Sequence, residues 1–473
     1  MPPRRTRPVV NRALAALIEQ AGWTHAATAQ QVNAVAAETG ERIHYDRSAV
    51  GHWLTGTVPR PEAVHAAVEA FRRRLGRPDL GPAHLGWPDP GAGPPADDPW
   101  RGDPVARLAT LGEDDLLNRR TVLTAGTFTL AALSSLSNLS GISGTSARSA
   151  RRARVPGPSG RPGAGDVARI RAATVAFADL DDRFGGAHAR VAVAAYLARE
   201  VTPLLREASG RTRPDLFAAA ADLGYLAAYM AMDAGANALA QRYYISTVRL
   251  ADEAGDLLLR ATALRSMAVQ AAELGHDGEA LALADAAASA LGGHGPRRTL
   301  AWITGMRAEA HAAAGTRWDA LNLLRRTENQ LERAGSPQEA GWGNYRHESL
   351  EHQIGLTLTQ LGDHATAARH FTASMNARRP VETRTRVLIG LRAANAYLRA
   401  GDPERAAVTA LGFGDDVRLT ASARVGDELR RLRAGWQRFR DSPLVAEADR
   451  AMSTGPQSTG PQSTGPLATG RAR

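Results

Sequence analysis

Between residues 166 and 442 apolar residues recur at three- and four-residue intervals, Ala, Leu, Arg and Glu dominate, and alternating β-branched runs are scarce. That pattern predicts helices almost throughout. A longer period lies over the short one. Gly235, Gly275, Gly315, Gly362 and Gly401 follow one another at spacings of 40, 40, 47 and 39 residues. Each has a small residue seven positions earlier (Ala228, Ala268, Ala308, Gly355, Ala394) and an alanine five positions later (Ala240, Ala280, Ala320, Ala367, Ala406). A fixed period of this length predicts stacked helical pairs, a surface for a partner rather than a chemical site.

Towards the N-terminus the helical period is shorter in extent. Residues 10–21 place Leu14, Leu17 and Ile18 on one face, with Gly22 as the stop. A second helix is expected over Thr28 to Glu38, with Val32, Val35 and Ala36 inward. The next segment runs from Tyr45 to Gly56. Asp46 suits a helix N-cap, Val50, Trp53 and Leu54 share an apolar face, and Arg47, Ser48, Gly51, His52 and Thr55 lie opposite. A short helix with a small, polar, basic outer face, held by two preceding helices, is what a helix-turn-helix needs to enter a major groove.

Breaks in the pattern divide the chain. Residues 86–104 hold six prolines and residues 144–165 are rich in Gly, Pro, Ser and Arg. The expected organisation is a DNA-binding unit over 1–85, a linker region over 86–165, a repeat domain over 166–442 and a disordered tail over 443–473. Within the linker, Arg119 and Arg120 precede an apolar stretch at 121–142 that imitates an export signal or a membrane span. Its position after a folded unit, and its many Ser and Thr residues, favour a buried segment between domains.

Composition narrows the function. No cysteine is present, and all 58 basic residues are arginine, so thiol and lysine chemistry drop out. The net charge of +10 is uneven: residues 1–90 carry 11 Arg against 8 acids and residues 144–165 carry 5 Arg against none, whereas the repeats are nearly balanced. Anion-seeking parts therefore lie early in the chain. Arg47, Ser48 and His52 are the candidate base or phosphate contacts, Gly51 allows close approach, and Thr55 flanks them. Arg60 and the run Arg72, Arg73, Arg74 are candidates for phosphate. Arg4, Arg5 and Arg7 form an arm that either follows the DNA or is solvated.

The stretch YDRSAVGHWLTGTVPRPE, followed by FRRRLGRPDLGPAHLGW, resembles the N-terminal domain of actinobacterial, streptomycete-type transcriptional regulators that join an Xre-type helix-turn-helix to a tetratricopeptide-like domain. In that family W-L-x-G closes the recognition helix and P-R-P opens the next; here these are Trp53, Leu54, Gly56, Pro59, Arg60 and Pro61. The arginine pair before a mid-chain apolar run is a further likeness. The close match spans about 85 residues, and the segment Thr39 to Tyr45 is longer than the family's turn. The resemblance implies an all-α chain, an N-terminal helix-turn-helix bundle followed by a C-terminal tetratricopeptide-like α-solenoid.

In the tetratricopeptide pattern the upstream small residue admits helix A to helix B, the glycine turns the chain, and the alanine sits at the tightest crossing. The position four beyond the alanine, usually large, reads Tyr244, Ala284, Leu324, Phe371 and Ala410. Helices near 166–206 and 418–440 are expected to cap the stack. Counting back from each glycine puts Tyr225, Tyr229, Arg265, Trp302, Glu309, His352 and Asn395 on the inner face, where they either contact a protein, peptide or small-molecule ligand or pack between repeats.

No enzyme reading survives. His347 and His352 are five apart, about 140° around a helix, and cannot share a metal ion. The Gly-rich GPSGRPGAG has no strand before it, and pairs such as Asp114–Asp115 and Asp181–Asp182 fit helix ends and solvated faces. The sequence thus leads to a cytoplasmic, sequence-specific regulator that binds double-stranded DNA, expected to carry no cofactor, metal or catalytic residues and to be a homodimer, because one half-site rarely suffices. The alternative is a repeat-type interaction scaffold without DNA binding.

Overall fold

The computed structural model describes residues 9–38, 43–77, 79–88, 100, 102–117, 162–335 and 345–453, and among them the regular elements are helices, with no strand. The arm residues Arg4, Arg5 and Arg7, the apolar stretch 121–142 and the repetitive end of the chain lie outside the described residues.

Four helices make the N-terminal core: α1 (Arg12–Gln20), α2 (His25–Glu38), α3 (Arg47–Leu54) and α4 (Pro61–Leu75). Leu14, Leu17, Ile18, Val32, Val35, Ala36, Val50, Trp53 and Leu54 are all buried there, as the periodicity requires. Helix α2 starts a turn earlier than expected, because the Thr24 hydroxyl accepts from the Ala27 amide. A 3-10 turn at Pro82–Leu85 and the buried Trp87 close the unit.

The linker assignment needs correction. Residues 104–117 form α5 (Pro104–Leu117), whose Leu108 and Leu111 join the core of the repeat region. Its Asp115 is buried and paired with Arg190, so the 114–115 carboxylates are not simply a solvated helix end. Helices α6 (Ala164–Phe184), α7 (Gly186–Tyr196) and, after a π-turn, α8 (Thr202–Glu207) precede the repeats.

Five helical pairs follow: α9 (Thr212–Asp233) with α10 (Asn237–Ala254), α11 (Leu257–Glu273) with α12 (Asp277–Leu291), α13 (Arg297–Ala313) with α14 (Arg317–Glu332), α15 (His347–Gln360) with α16 (His364–Ala377), and α17 (Thr383–Arg399) with α18 (Pro403–Leu411). Each pair turns at a repeat glycine whose φ lies in the left-handed region, from 78° at Gly235 to 87° at Gly401. The five downstream alanines are fully buried, and so are Ala228, Ala268, Ala308 and Ala394. Gly355 shows why the upstream residue is small: a Cβ there would sit 2.6 Å from a ring carbon of Phe371. Small and large residues compensate across the crossing.

After α19 (Gly414–Leu419) and α20 (Ala423–Trp436) comes α21 (Pro443–Ser453), in residues assigned above to a disordered tail. Val445, Ala448 and Met452 recur at helical spacing and are buried against α18, and Asp449 accepts from the Trp436 indole at 3.1 Å. That short apolar stripe runs directly into the repetitive residues that follow, whose polar composition dominates the segment.

The flanking helices do not merely cap two ends; they meet. Helix α6 packs on α17, the Ala421 amide donates to the Phe184 carbonyl at 2.8 Å, and the Ser422 hydroxyl reaches Asp233 at 2.8 Å. Gly185 permits this approach, since a Cβ there would stand 2.7 Å from the Ala421 carbonyl oxygen, and Gly186 lets the same turn lie against Met230. The row of pairs therefore curls until its beginning touches its end.

Candidate functional site

Two surfaces deserve a chemical description: the outer face of α3 and the cavity inside the curl. Helix α3 is fixed from its buried side. Trp53 packs edge-on against Tyr45 at 5.0 Å and Trp87 at 5.8 Å. The Asn33 amide holds the chain entering α3 by donating to the Tyr45 carbonyl (2.7 Å) and accepting from its amide (2.9 Å). At the other end, the Val10 and Asn11 amides both donate to the Leu54 carbonyl. Asp46 caps the helix, accepting from the Ser48 and Ala49 amides, and these hydrogen bonds, the Ala49 one foremost, hold its carboxyl below the usual range.

Outward, Arg47, Ser48, His52 and Arg60 are exposed and Gly51 is half-buried. Two expected contacts are less free than the sequence suggested. The Ser48 hydroxyl is hydrogen-bonded to Asp46 at 2.9 Å, and Thr55 lies past the last helical residue with its hydroxyl turned back to the His52 carbonyl at 3.0 Å. The arginine run on α4 is likewise engaged. Arg72 donates to the Leu80 carbonyl, Arg73 pairs with the buried Glu69, and Arg74 donates to the Ala21 carbonyl, so these side chains tie the bundle together.

The cavity has a volume of about 400 Å³. Six of the seven inner-face candidates line it: Tyr225, Tyr229, Arg265, Trp302, Glu309 and His352. Asn395 lines an adjoining recess instead, donating to Glu428 at 3.0 Å. Register counted from the turn glycines thus finds the lining, because the helix-A positions facing one side repeat with each pair.

Its electrostatics were not foreseen. Arg384 is buried and contacts Asp181 (3.0 Å), Asp182 (3.4 Å) and the Tyr229 hydroxyl (3.0 Å), so the 181–182 pair is an ion-pair partner rather than a solvated helix end. Arg392 and Arg424 both pair with Glu273. Burial alone would raise the Glu273 carboxyl, but the two guanidiniums bring it down to about 2. Arg392 also donates to His352 Nε2 at 2.8 Å; burial first, and that neighbouring cation second, keep His352 neutral by lowering its pKa well below the usual value. His347 is exposed on the first turn of the same helix, away from His352. The Arg265 guanidinium carbon sits over the Trp302 ring, 4.3 Å from its centroid.

Tyr345 and Gln353 were missed. Tyr345 precedes α15, where no repeat register applies, and Gln353 stands one residue beyond the counted position. Gln353 donates to Glu309 and accepts from Arg265 at 3.4 Å, interposing an amide between the two charges. Among the described residues no group of three His, Asp or Glu side chains is arranged to hold a metal, and no helix is long and apolar enough to cross a membrane.

No curated protein matches the chain. The apolar core running from Leu14 to Trp87 falls within residues 14–88, which match the family model described as the SP15 N-terminal domain.

Proposed function

We propose that this chain is a sequence-specific, DNA-binding transcriptional regulator acting in the cytoplasm. In this reading residues 1–85 are an Xre-type helix-turn-helix that reads double-stranded DNA through α3, and the tetratricopeptide-like helical pairs bind the signal that alters DNA affinity or dimerisation. The observation that carries it is the presentation of α3: its apolar side is locked by Trp53 while Arg47, Gly51 and His52 face away from the core. Gly51 adds weight. A Cβ there would meet nothing within 4 Å, so glycine costs the helix about 0.5–1 kcal/mol with no packing return. Close approach of a groove is a use for that missing methyl group.

The test is a gel shift at low salt on promoter DNA of its own and neighbouring genes, comparing wild type with an Arg47→Ala, His52→Ala variant. Salt-sensitive binding by the wild type and a marked loss in the variant are expected. No binding by the wild type, or equal binding by both, sinks the reading head. A scaffold without DNA binding is the second reading, favoured by Trp318, which is 74% exposed on α14. A stable protein complex lost in Trp318→Ala, without DNA retention, would support it.

A further inference from the structure

The cavity wall around Arg265 has more hydrogen-bond donors than acceptors. A guanidinium carries five N–H donors in a rigid fork. Arg265 makes no ion pair among the described residues; it has one long hydrogen bond, to Gln353, and its Nε is buried without a partner. Beside it, the Tyr345 hydroxyl is also buried and unpartnered, and the residue is only 2% exposed. Glu309 does not fill the gap, because the Gln353 amide stands between its carboxylate and the Arg265 guanidinium, donating to the one and accepting from the other. The other arginines lining the cavity are different: Arg384, Arg392 and Arg424, like Arg346, Arg378 and Arg379, each have a carboxylate.

Buried donors without acceptors are costly, and a charged one more so, because each has given up its hydrogen bonds to water without replacement. A ligand carrying a planar pair of acceptor oxygens removes that cost at both groups, since a carboxylate matches the guanidinium fork. The rest of the space is apolar enough for an organic body: Leu226, Val269 and Leu356 line it, with the Trp302 ring at the side. A volume of about 400 Å³ is in the range of small-molecule sites.

We propose that the cavity binds a small organic carboxylate, its oxygens on Arg265 and the Tyr345 hydroxyl and its apolar body against Leu226, Val269 and Leu356. This rests on the reading of the repeat region as the sensing half and gives that signal a chemical class. Trp302 positions the guanidinium by stacking; Gln353 keeps it from collapsing onto Glu309.

Calorimetric titration of the full chain, without DNA, tests it. The probes are 3-phenylpropionate and its amide, a tripeptide ending in phenylalanine as free acid and as C-terminal amide, and inorganic phosphate. At least one acid is expected to bind about tenfold or more tighter than its amide, and which acid wins separates a free metabolite from a peptide terminus. The preference should collapse in Arg265→Gln. Tyr345→Phe should weaken the acid several-fold while leaving thermal stability unchanged or higher, because the hydroxyl has no partner to lose; this variant serves if Arg265→Gln does not fold. No binding of either acid at millimolar concentration, equal acid and amide affinities, binding of phosphate alone, or an unaltered preference in both variants overturns the proposal. DNA is absent from these titrations, so their failure leaves the gel-shift result untouched, and the reverse holds.

Discussion

Asp181 and Arg384 stand 203 positions apart in the chain, yet an Asp181 carboxylate oxygen lies 3.0 Å from an Arg384 terminal nitrogen, with both side chains nearly excluded from solvent. The contact fastens α17 to α6 and so holds the curl around the cavity. Asp182 at 3.4 Å and Asp233 at 3.8 Å put two further carboxylates on the same guanidinium.

Removing the guanidinium while keeping its bulk should therefore open or weaken this closure. Arg384→Met leaves buried carboxylates uncompensated and is expected to cost about 3–5 kcal/mol in urea unfolding. Adding Asp181→Asn should restore part of the loss, because the two changes share one interaction. A cost below about 1 kcal/mol for the single variant would show that the apolar contacts of α6 close the curl without the ion pair.

The helix crossings predict a sharper contrast between glycines. Gly355→Ala puts a methyl group 2.6 Å from a carbon of the buried Phe371 ring and should destabilise by about 1–3 kcal/mol. Phe371→Leu in the same chain should recover some of that loss. Gly278→Ala, where a Cβ meets nothing within 4 Å, is the control, and thermal melts should separate the two alanine variants.

What was legible in the sequence follows from how local each constraint is. The requirement for a left-handed turn at Gly235 and a small residue at Ala228 and Ala240 is imposed within a dozen residues and repeats in every pair, so it leaves a readable period. Leu14, Val32 and Trp53 were legible for the same reason, as stripes on single helices. The closure was not, because it depends on Asp181 meeting Arg384 and on Asp233 meeting Ser422, and nothing near any of these residues announces its partner. Adjacent Gly185 and Gly186 were the available hint of a close backbone approach. The cavity lining could be counted from the glycines, but its unpartnered donors could not, since Tyr345 lies outside the repeat and Gln353 is defined by what it separates. The α21 stripe was concealed by proximity to the repetitive end.

Glu273 makes acid sensitivity a local property. Its carboxyl has a pKa of about 2, held there by Arg424 and Arg392 against the effect of burial. An unfolded glutamate titrates near 4.3. A carboxyl depressed on folding contributes stability above its unfolded pKa and loses it as pH falls towards its folded value. Glu273→Gln should thus lower the melting temperature at neutral pH, with the gap to wild type narrowing between about pH 4.5 and about pH 2. Because the side chain keeps 27% of its surface open, added salt should shrink the gap as well. A gap independent of pH would mean that the two arginines do not discriminate the charged from the neutral carboxyl.

Gly51 separates folding from recognition on α3. Alanine is the better helix former by about 0.5–1 kcal/mol, and the structure offers its methyl group open space. Gly51→Ala should accordingly raise the melting temperature slightly or leave it unchanged. If α3 enters a groove with Arg47 and His52 beside Gly51, the same methyl group comes between helix and base edges, and DNA affinity should fall by about tenfold or more with the salt dependence little altered, since no phosphate contact is removed. The measurement is a gel shift repeated across salt concentrations, run beside the melts. A Gly51→Ala chain that is equally stable and binds the same DNA equally well would show that this face of α3 does not approach the bases, leaving Arg60 and the described ends of the bundle as the surface to test.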